Sequence, residues 1–141
     1  MRILMLHVDY FNSTIARRGR SKIFEEPPLK DVKVKESLLV LMNVEKQDEI
    51  NPQHITRKTV EEIMKHGSQL KVKTIILHPF AHLFGEPSKP EVAIDIIKLV
   101  EKDLTQKGFN VARTPFGWFN IWELRTKGHP LSRVARKISS N

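Results

Sequence analysis

The fold is decided by Val72–Leu77, Val-Lys-Thr-Ile-Ile-Leu, and by the segments that follow it. Its β-branched and leucine side chains predict a buried β-strand. The chain continues as His78-Pro79-Phe80-Ala81-His82-Leu83. A helix is predicted from Pro90, because apolar residues recur at helical spacing up to Leu104. About a dozen residues therefore connect a strand to a helix, and connections of that length in compact domains are often functional.

The remaining pattern mixes strands and helices without strict alternation. It predicts a helix that begins at Asn51-Pro52 and a hairpin within Phe11–Pro28, with a basic tip around Gly19. It also predicts a short basic helix at Leu131–Ile138, and further strands at Arg2–Tyr10, Ser37–Val44, Phe109–Arg113 and Trp118–Thr126. We therefore expect an α+β fold in which two main helices pack on a twisted mixed β-sheet with a barrel-like core.

Composition bounds the class of protein. With 141 residues, 40% of them hydrophobic and 28% charged, the chain is expected to form a single domain, 1–141. The absence of Cys excludes a disulfide scaffold and Cys-ligated metal sites, and it fits the cytoplasm. Apolar runs are far shorter than the roughly 20 residues of a spanning helix, so no membrane partner is expected. The Ser139-Ser140-Asn141 end suggests that the domain is part of a longer chain.

The charge points to a polyanionic partner. Lys and Arg number 24 against 16 Asp and Glu, which gives a net charge of +8. Nucleic acid is the most common partner of so basic a domain, although solvated lysines produce the same balance. Basic side chains that are candidates for RNA contact are Arg17, Arg18, Arg20, Lys22, Arg125, Lys127, Arg133, Arg136 and Lys137.

Familiar catalytic signatures are absent. The sequence contains no phosphate-binding glycine loop, dinucleotide fingerprint or nucleophile elbow. His78 and His82 have a spacing that binds metal on a helix, but Pro79 argues against a helix there and further ligands are missing. We therefore predict no metal site and no required cofactor.

Two loops share a pattern. Pro79-Phe80-Ala81-His82 and Pro115-Phe116-Gly117-Trp118-Phe119-Asn120 each begin with Pro-Phe after a predicted strand. Proline presets the backbone, and Gly117 permits close approach of a ligand or another chain segment. The loops suit recognition of a small polar substrate. Alternatively, Phe80, Phe116 and Trp118 are core residues.

Several segments in order along nearly the whole chain resemble the N-terminal editing domain of archaeal threonyl-tRNA synthetase. They are Ile3–Tyr10, Val44–Lys46, His78–Leu83, Lys107–Val111, Thr114–Gly117 and Lys127–Leu131. Pro-Phe-Ala-His and Lys-Gly-His-Pro-Leu are specific in combination. The resemblance implies a fold like that of D-aminoacyl-tRNA deacylases and a homodimer.

The resemblance further implies hydrolysis of L-serine wrongly esterified to threonine tRNA, with the remaining synthetase domains in cis or in trans. It places Val44 and Glu45 at the terminal adenosine. One wall of the aminoacyl pocket is then Pro79, Phe80, Ala81 and His82, and the other is Pro115, Phe116, Gly117, Trp118 and Phe119. His82 would position the substrate or its water, and the terminal 2′-hydroxyl of the tRNA would help to activate that water.

The resemblance breaks at Asn120, where the family has Lys, and at Ser132-Arg133-Val134, where an acidic residue often follows. Asn120 keeps a hydrogen-bond donor at a predicted catalytic position but carries no charge. Asn120 therefore keeps open a catalytically silent module for tRNA binding or dimerisation. A second alternative is a D-aminoacyl-tRNA deacylase, which has the same fold and chemistry, although the chain lacks the usual form of that group's signature loops.

Overall fold

The computed structural model describes residues 1–26, 31–83 and 85–139. Its strands are β1 Arg2–Arg18, β2 Val32–Val34, β3 Ser37–Asn43, β4 Thr74–Pro79, β5 Asn110–Arg113, β6 Trp118–Thr126 and β7 Arg133–Lys137. Its helices are α1 Pro52–Leu70 and α2 Pro90–Gln106, with a short 3₁₀ helix at Lys46–Ile50. The predicted α+β class with two main helices is confirmed.

The seven strands form one mixed sheet that nearly closes into a barrel. Its strand order is β2-β1-β3-β4-β5. The long strand β1 also pairs with β6 and with β7, which lie off this path. β3, β4 and β5 are parallel, and the pairs that β1 forms are antiparallel. The carboxyl ends of the three parallel strands therefore meet at one end of the sheet.

β3 is buried along its whole length because it contributes to two cores. Leu38, Val40 and Met42 pack beneath the helices. Leu39 and Leu41 alternate with them and pack with Phe11 inside the curved sheet. Burial on both faces explains why this strand has a continuous apolar sequence instead of an alternating one.

Both helices begin where the sequence predicts. The Asn51 side chain accepts a hydrogen bond from the N–H of His54, and Pro52 and Pro90 occupy first-turn positions where no N–H is needed. Gly108, with φ of 96°, follows the end of α2, as expected for a residue just past a helix. Neither helix has the length and apolar character required to cross a membrane.

The predicted hairpin within Phe11–Pro28 is wrong. β1 runs without a break to Arg18, and its second half pairs with β6, from Val8 opposite Thr126 to Arg18 opposite Trp118. This partner lies about a hundred residues away in sequence, so local turn signals around Gly19 could not identify it. The predicted closing residues, Pro27 and Pro28, lie outside the described residues.

The predicted basic helix at Leu131–Ile138 is also wrong. β7 occupies Arg133–Lys137 and pairs with Arg2–Leu6 of β1. Val134 packs against the core and Ile138 is buried. Their spacing of four residues places them on one face of a helix and equally on one face of a strand. Pairing with β1 decides in favour of the strand.

Candidate functional site

A cavity of about 560 Å³ lies at the carboxyl ends of the parallel strands. Val44, which directly follows β3, lines it, and the amino-terminal half of α2 contributes Ala93 and Ile97. Gly19, Arg20 and Ser21, which follow β1, lie along its rim. The volume is within the range of about 300–1,000 Å³ that is usual for small-molecule sites.

The first predicted wall lines this cavity with all four of its residues, Pro79, Phe80, Ala81 and His82. Pro79 is the last residue of β4, so the loop begins two residues later than the sequence suggests. The N–H of Phe80 donates to the carbonyl of Met42 at 2.8 Å, which ties the turn to β3. Phe80 also packs against the inner core, so the core and pocket interpretations of this side chain both hold.

The second predicted wall contributes Phe116, Gly117, Trp118 and Phe119. Gly117 has φ of 89°, and its carbonyl accepts a hydrogen bond from the N–H of Gly19 at 2.7 Å. A Cβ atom on Gly117 would lie only 2.6 Å from Cβ of Phe24. Glycine is therefore required both by the backbone conformation and by the close packing behind the wall.

His78 is a lining residue whose role the sequence analysis missed. It lies within β4, buried, and its ring packs edge-on against Trp122 with centroids 4.6 Å apart. Its Nδ1 atom is 2.6 Å from Oγ1 of Thr114. Burial lowers the pKa of His78 to about 4, so the imidazole is neutral near pH 7 and serves as a hydrogen-bonding group. Its position at the end of a buried strand was the available signal.

The two predicted catalytic residues both line the cavity but differ in setting. His82 is exposed and forms no hydrogen bond with another described residue. Asn120 lies on β6, and its amide nitrogen donates to Oγ of Ser13 at 3.0 Å. One end of the Asn120 amide is thus committed to β1, and within the described residues the other end makes no bond.

Two predicted binding residues lie elsewhere. Pro115 is buried behind the wall and does not line the cavity. Glu45 lines a separate, mostly charged depression, where its carboxylate pairs with Nε of Arg2 at 2.6 Å. The backbone N–H of Glu45 donates to Asp48, and its carbonyl accepts from the Asp48 N–H, so both groups are engaged in the turn that starts the 3₁₀ helix.

Backbone N–H groups in the turns of the two walls are candidate donors to a ligand. Among the residues lining the two walls, Phe80 and Phe116 use their N–H groups on Met42 and Glu25. By contrast, the N–H groups of Ala81, His82 and Gly117 donate to no other described residue. Preorganised N–H groups of this kind stabilise negative charge that develops on a carbonyl oxygen. Within the described residues, no cluster of His, Asp and Glu has the arrangement of a metal site.

Six of the nine basic candidates are informative about a path for RNA. Arg125, Lys127 and Arg136 form ion pairs with Asp9, Glu36 or Glu62. In the described part of the chain, Arg17, Arg18 and Arg20 have no acidic partner, and they lie at or next to the cavity rim. The Arg17 guanidinium lies over the Phe119 ring at 5.5 Å, and that of Arg18 lies over Phe24 at 3.6 Å.

Solved structures share this fold. The chain superposes on c-Myc DNA unwinding element binding protein with a TM-score of 0.62 at 12% identity, covering 99% of this chain and 100% of that one. A structure described as a probable eukaryotic D-amino acid tRNA deacylase gives a TM-score of 0.66 at 12% identity, covering 97% and 98%. The predicted deacylase-like fold is confirmed.

Sequence relatives are threonine–tRNA ligases of archaea. The Methanococcus aeolicus enzyme is 40% identical over 140 residues, which are 99% of this chain and 22% of that protein. The Methanobrevibacter smithii enzyme is 42% identical over 144 residues, 99% of this chain and 23% of that protein. The chain thus spans less than a quarter of the length of these relatives. Residues 1–138 match the family described as the archaea-specific editing domain of threonyl-tRNA synthetase. This chain therefore belongs to that family of editing domains, and the class of activity expected of it, aminoacyl-tRNA deacylation, agrees with this membership.

Proposed function

We propose that this chain hydrolyses the ester that joins L-serine to threonine tRNA. The observation that carries the proposal is the cavity between the two proline-led walls, which combines apolar side chains with N–H donors at Ala81, His82 and Gly117 that bind no other residue in the part of the chain that the structure describes. An aminoacyl ester needs both features: a shaped pocket for its side chain, and donors for the oxyanion that forms when water attacks.

Selection between serine and threonine depends on one methyl group. A binding pocket that merely lacks contact with a methyl discriminates by roughly 1–3 kcal/mol, so a synthetic site built for threonine also accepts serine. An editing pocket reverses the selection by excluding the larger side chain. The apolar walls formed by Phe80 on one side and Phe116 and Trp118 on the other suit steric exclusion of that methyl group.

The chemistry we propose needs no charged side chain. Water attacks the ester carbonyl, the N–H donors stabilise the oxyanion, and the ester oxygen leaves as the terminal 3′-hydroxyl after taking up a proton. Serine departs with a free carboxyl group. The neighbouring 2′-hydroxyl of the RNA orients and helps to activate the water. Asn120 and His82 then assist by hydrogen bonding, which is compatible with Asn in place of Lys at position 120.

The RNA terminus would enter over the rim formed after β1. Arg17, Arg18 and Arg20 lie together there without acidic partners among the described residues, so their charge is available to phosphates. We propose that the terminal adenosine occupies the cavity next to Val44. The proposed substrate pool implies the cytoplasm as the compartment.

We also propose that the domain acts as a homodimer and with synthetase domains in cis or in trans. An exposed apolar side chain supports a further protein contact, since Ile121 on β6 is 64% exposed and does not line the cavity. Sedimentation of the wild-type chain and of Ile121→Glu tests the dimer. A monomeric wild-type chain contradicts it.

Incubation with a matched set of substrates tests the function. We expect rapid hydrolysis of L-seryl-tRNA, and slow hydrolysis of L-threonyl-tRNA and of D-aminoacyl-tRNA. Faster release of D-amino acids than of L-serine would instead indicate a D-aminoacyl-tRNA deacylase. Binding of tRNA without loss of any ester would indicate a silent binding module.

A substrate with 2′-deoxyadenosine at its terminus tests the RNA-assisted route. We expect hydrolysis of its 3′-seryl ester to slow strongly while binding persists. An unchanged rate would contradict a role of the 2′-hydroxyl.

A further inference from the structure

Glu25 lies directly behind the second wall, outside the cavity lining. Its side chain is 16% exposed. The carboxylate accepts hydrogen bonds from both terminal nitrogens of the Arg113 guanidinium, and Nη2 lies 2.9 Å from Oε2. Its Oε1 atom also accepts the backbone N–H of Phe116 at 3.0 Å. A side-chain carboxylate therefore binds the first aromatic residue of the wall through its main chain.

The main chain of Glu25 binds the same wall. Its N–H donates to the carbonyl of Phe116 at 3.0 Å. Its carbonyl accepts the indole Nε1–H of Trp118 at 2.6 Å. Together with the carboxylate contact, these bonds fix both the backbone of Phe116 and the ring of Trp118, which are two of the surfaces that face the cavity.

Arg113 connects this arrangement to the helical layer. Its Nε donates to Oε2 of Glu101 on α2 at 2.5 Å, while its two terminal nitrogens hold Glu25. Lys98, also on α2, approaches Glu25 at 3.9 Å. Burial alone would raise the pKa of Glu25, but the hydrogen bonds from Arg113 and from the Phe116 N–H lower it overall, so the carboxylate stays ionised. Charge-assisted hydrogen bonds thus connect Glu25, the second wall and α2 through Arg113.

We propose that Glu25 is a positioning residue that sets the selectivity of the pocket by fixing the Phe116–Trp118 wall. The proposal rests on the proposed function and adds to it a residue that does not touch the substrate. Steric exclusion of a single methyl group requires a wall that does not yield, because a wall that can move outward makes room for the extra carbon. Discrimination by one such group reaches roughly 10- to 200-fold, and a loosened wall forfeits part of it.

Glu25→Gln tests this with little change in shape. Glutamine has one acceptor oxygen where the carboxylate has two, and its NH2 group would face the Nη2 donor of Arg113, so the side chain is displaced from the Phe116 N–H that it holds in the wild type. We expect the ratio of kcat/KM for L-seryl-tRNA to that for L-threonyl-tRNA to fall at least about fivefold, mainly because threonine is released faster. Dissociation constants of non-hydrolysable seryl- and threonyl-adenosine mimics should converge in the same variant.

Glu101→Gln is the matched control. It removes the other carboxylate partner of Arg113 and leaves every contact between Glu25 and the wall in place. We expect its selectivity ratio to stay within about twofold of the wild type, because Glu101 binds Arg113 and has no contact with the wall itself. Equal losses in Glu25→Gln and Glu101→Gln would overturn the positioning role.

A ratio that stays unchanged in a folded Glu25→Gln variant also overturns the proposal. If that variant does not fold, Arg113→Lys is the test, because lysine keeps the positive charge but cannot bind both oxygens of Glu25 at once. The proposal then requires a loss of selectivity that is smaller than the fivefold expected for Glu25→Gln but still measurable. Failure of the proposed function is separately visible. A wild-type chain that does not release serine defeats the function, whereas a selective wild type with an equally selective Glu25→Gln defeats only the role of Glu25.

Discussion

The hydroxyl of Thr114 lies 2.6 Å from Nδ1 of His78, and both side chains are buried where two neighbouring parallel strands end. This bond joins the two walls of the cavity from behind, because His78 precedes Pro79 and Thr114 precedes Pro115. Each proline-led segment therefore starts from a residue that is held in the core. The relative position of the walls is fixed by strand pairing and by this side-chain bond.

The neutral state of His78 predicts a pH-dependent stability. Its pKa falls from the ordinary 6.5 to about 4 on folding, through burial. Above pH 6.5 the imidazole is neutral in both states, and the free energy of unfolding does not depend on its titration. Between pH 6.5 and pH 4 the imidazole is protonated in the unfolded chain but not in the folded chain. The free energy of unfolding therefore falls as the pH is lowered, by about 3 kcal/mol over this range.

Chemical denaturation of wild type and His78→Asn across pH 4–7 checks this. Burial also lowers the pKa values of His7 and His66, so the wild type alone reports a sum, and the difference between the two proteins isolates His78. We expect the variant to lose less stability on acidification. Parallel curves for the two proteins would contradict the account.

Gly117→Ala is predicted to destabilise the second wall. The new Cβ meets Phe24 at 2.6 Å in a backbone with φ of 89°. Gly108→Ala is a matched control, since Gly108 has φ of 96° but a Cβ atom added there would have no neighbour within 4 Å. We expect a loss of about 2–4 kcal/mol in the first and about 1–2 kcal/mol in the second, from left-handed strain with and without overpacking. Equal losses in thermal unfolding would show that the contact with Phe24 is unimportant.

Arg20→Ala is predicted to weaken tRNA binding through loss of a phosphate contact. We expect the slope of log affinity against log salt concentration to decrease by about 0.7, the value for one phosphate in a single strand. Arg133→Ala, which removes an exposed charge on β7 away from the cavity lining, is expected to leave the slope nearly unchanged. A larger change for Arg133 would move the RNA path to the other side of the molecule.

His82→Ala is predicted to lower turnover more than binding and to leave folding intact. The side chain is exposed, so we expect the unfolding free energy to change by no more than about 0.5 kcal/mol. Because the RNA supplies part of the reactivity, the loss in kcat should stay below roughly 100-fold, the lower end of the range for removing a general acid or base. Single-turnover rates decide, and a complete loss of hydrolysis with intact tRNA binding would make His82 obligatory.

The parts of the fold that follow local periodicity were predictable. Strand β6 has the predicted bounds, Trp118–Thr126, and α2 begins at Pro90 as expected. The errors concern pairing. β1 extends to Arg18 because its second half pairs with β6. Arg133–Lys137 forms a strand because it pairs with the first half of β1. Information of that kind lies in contacts between distant segments and not in either segment alone.

The site, like the fold, has parts that the local sequence indicates and parts that depend on contacts between distant segments. The shared Pro-Phe pattern identified both walls, because proline after a strand is visible in the sequence. Glu25 and Thr114 were missed, since their importance comes from what they bind, Phe116 and His78. The contact of Glu45 with the terminal adenosine stays a prediction, and the ion pair of its carboxylate with Arg2 in a separate depression is not indicated by the local sequence.

The central claim is that the pocket accepts the hydroxymethyl group of serine and excludes one further carbon. The most direct measurement is the single-turnover rate of ester loss from L-seryl- and L-threonyl-forms of one tRNA, each incubated with an excess of the chain. We predict that serine is released roughly 10- to 200-fold faster than threonine. Equal rates for the two amino acids would contradict the account.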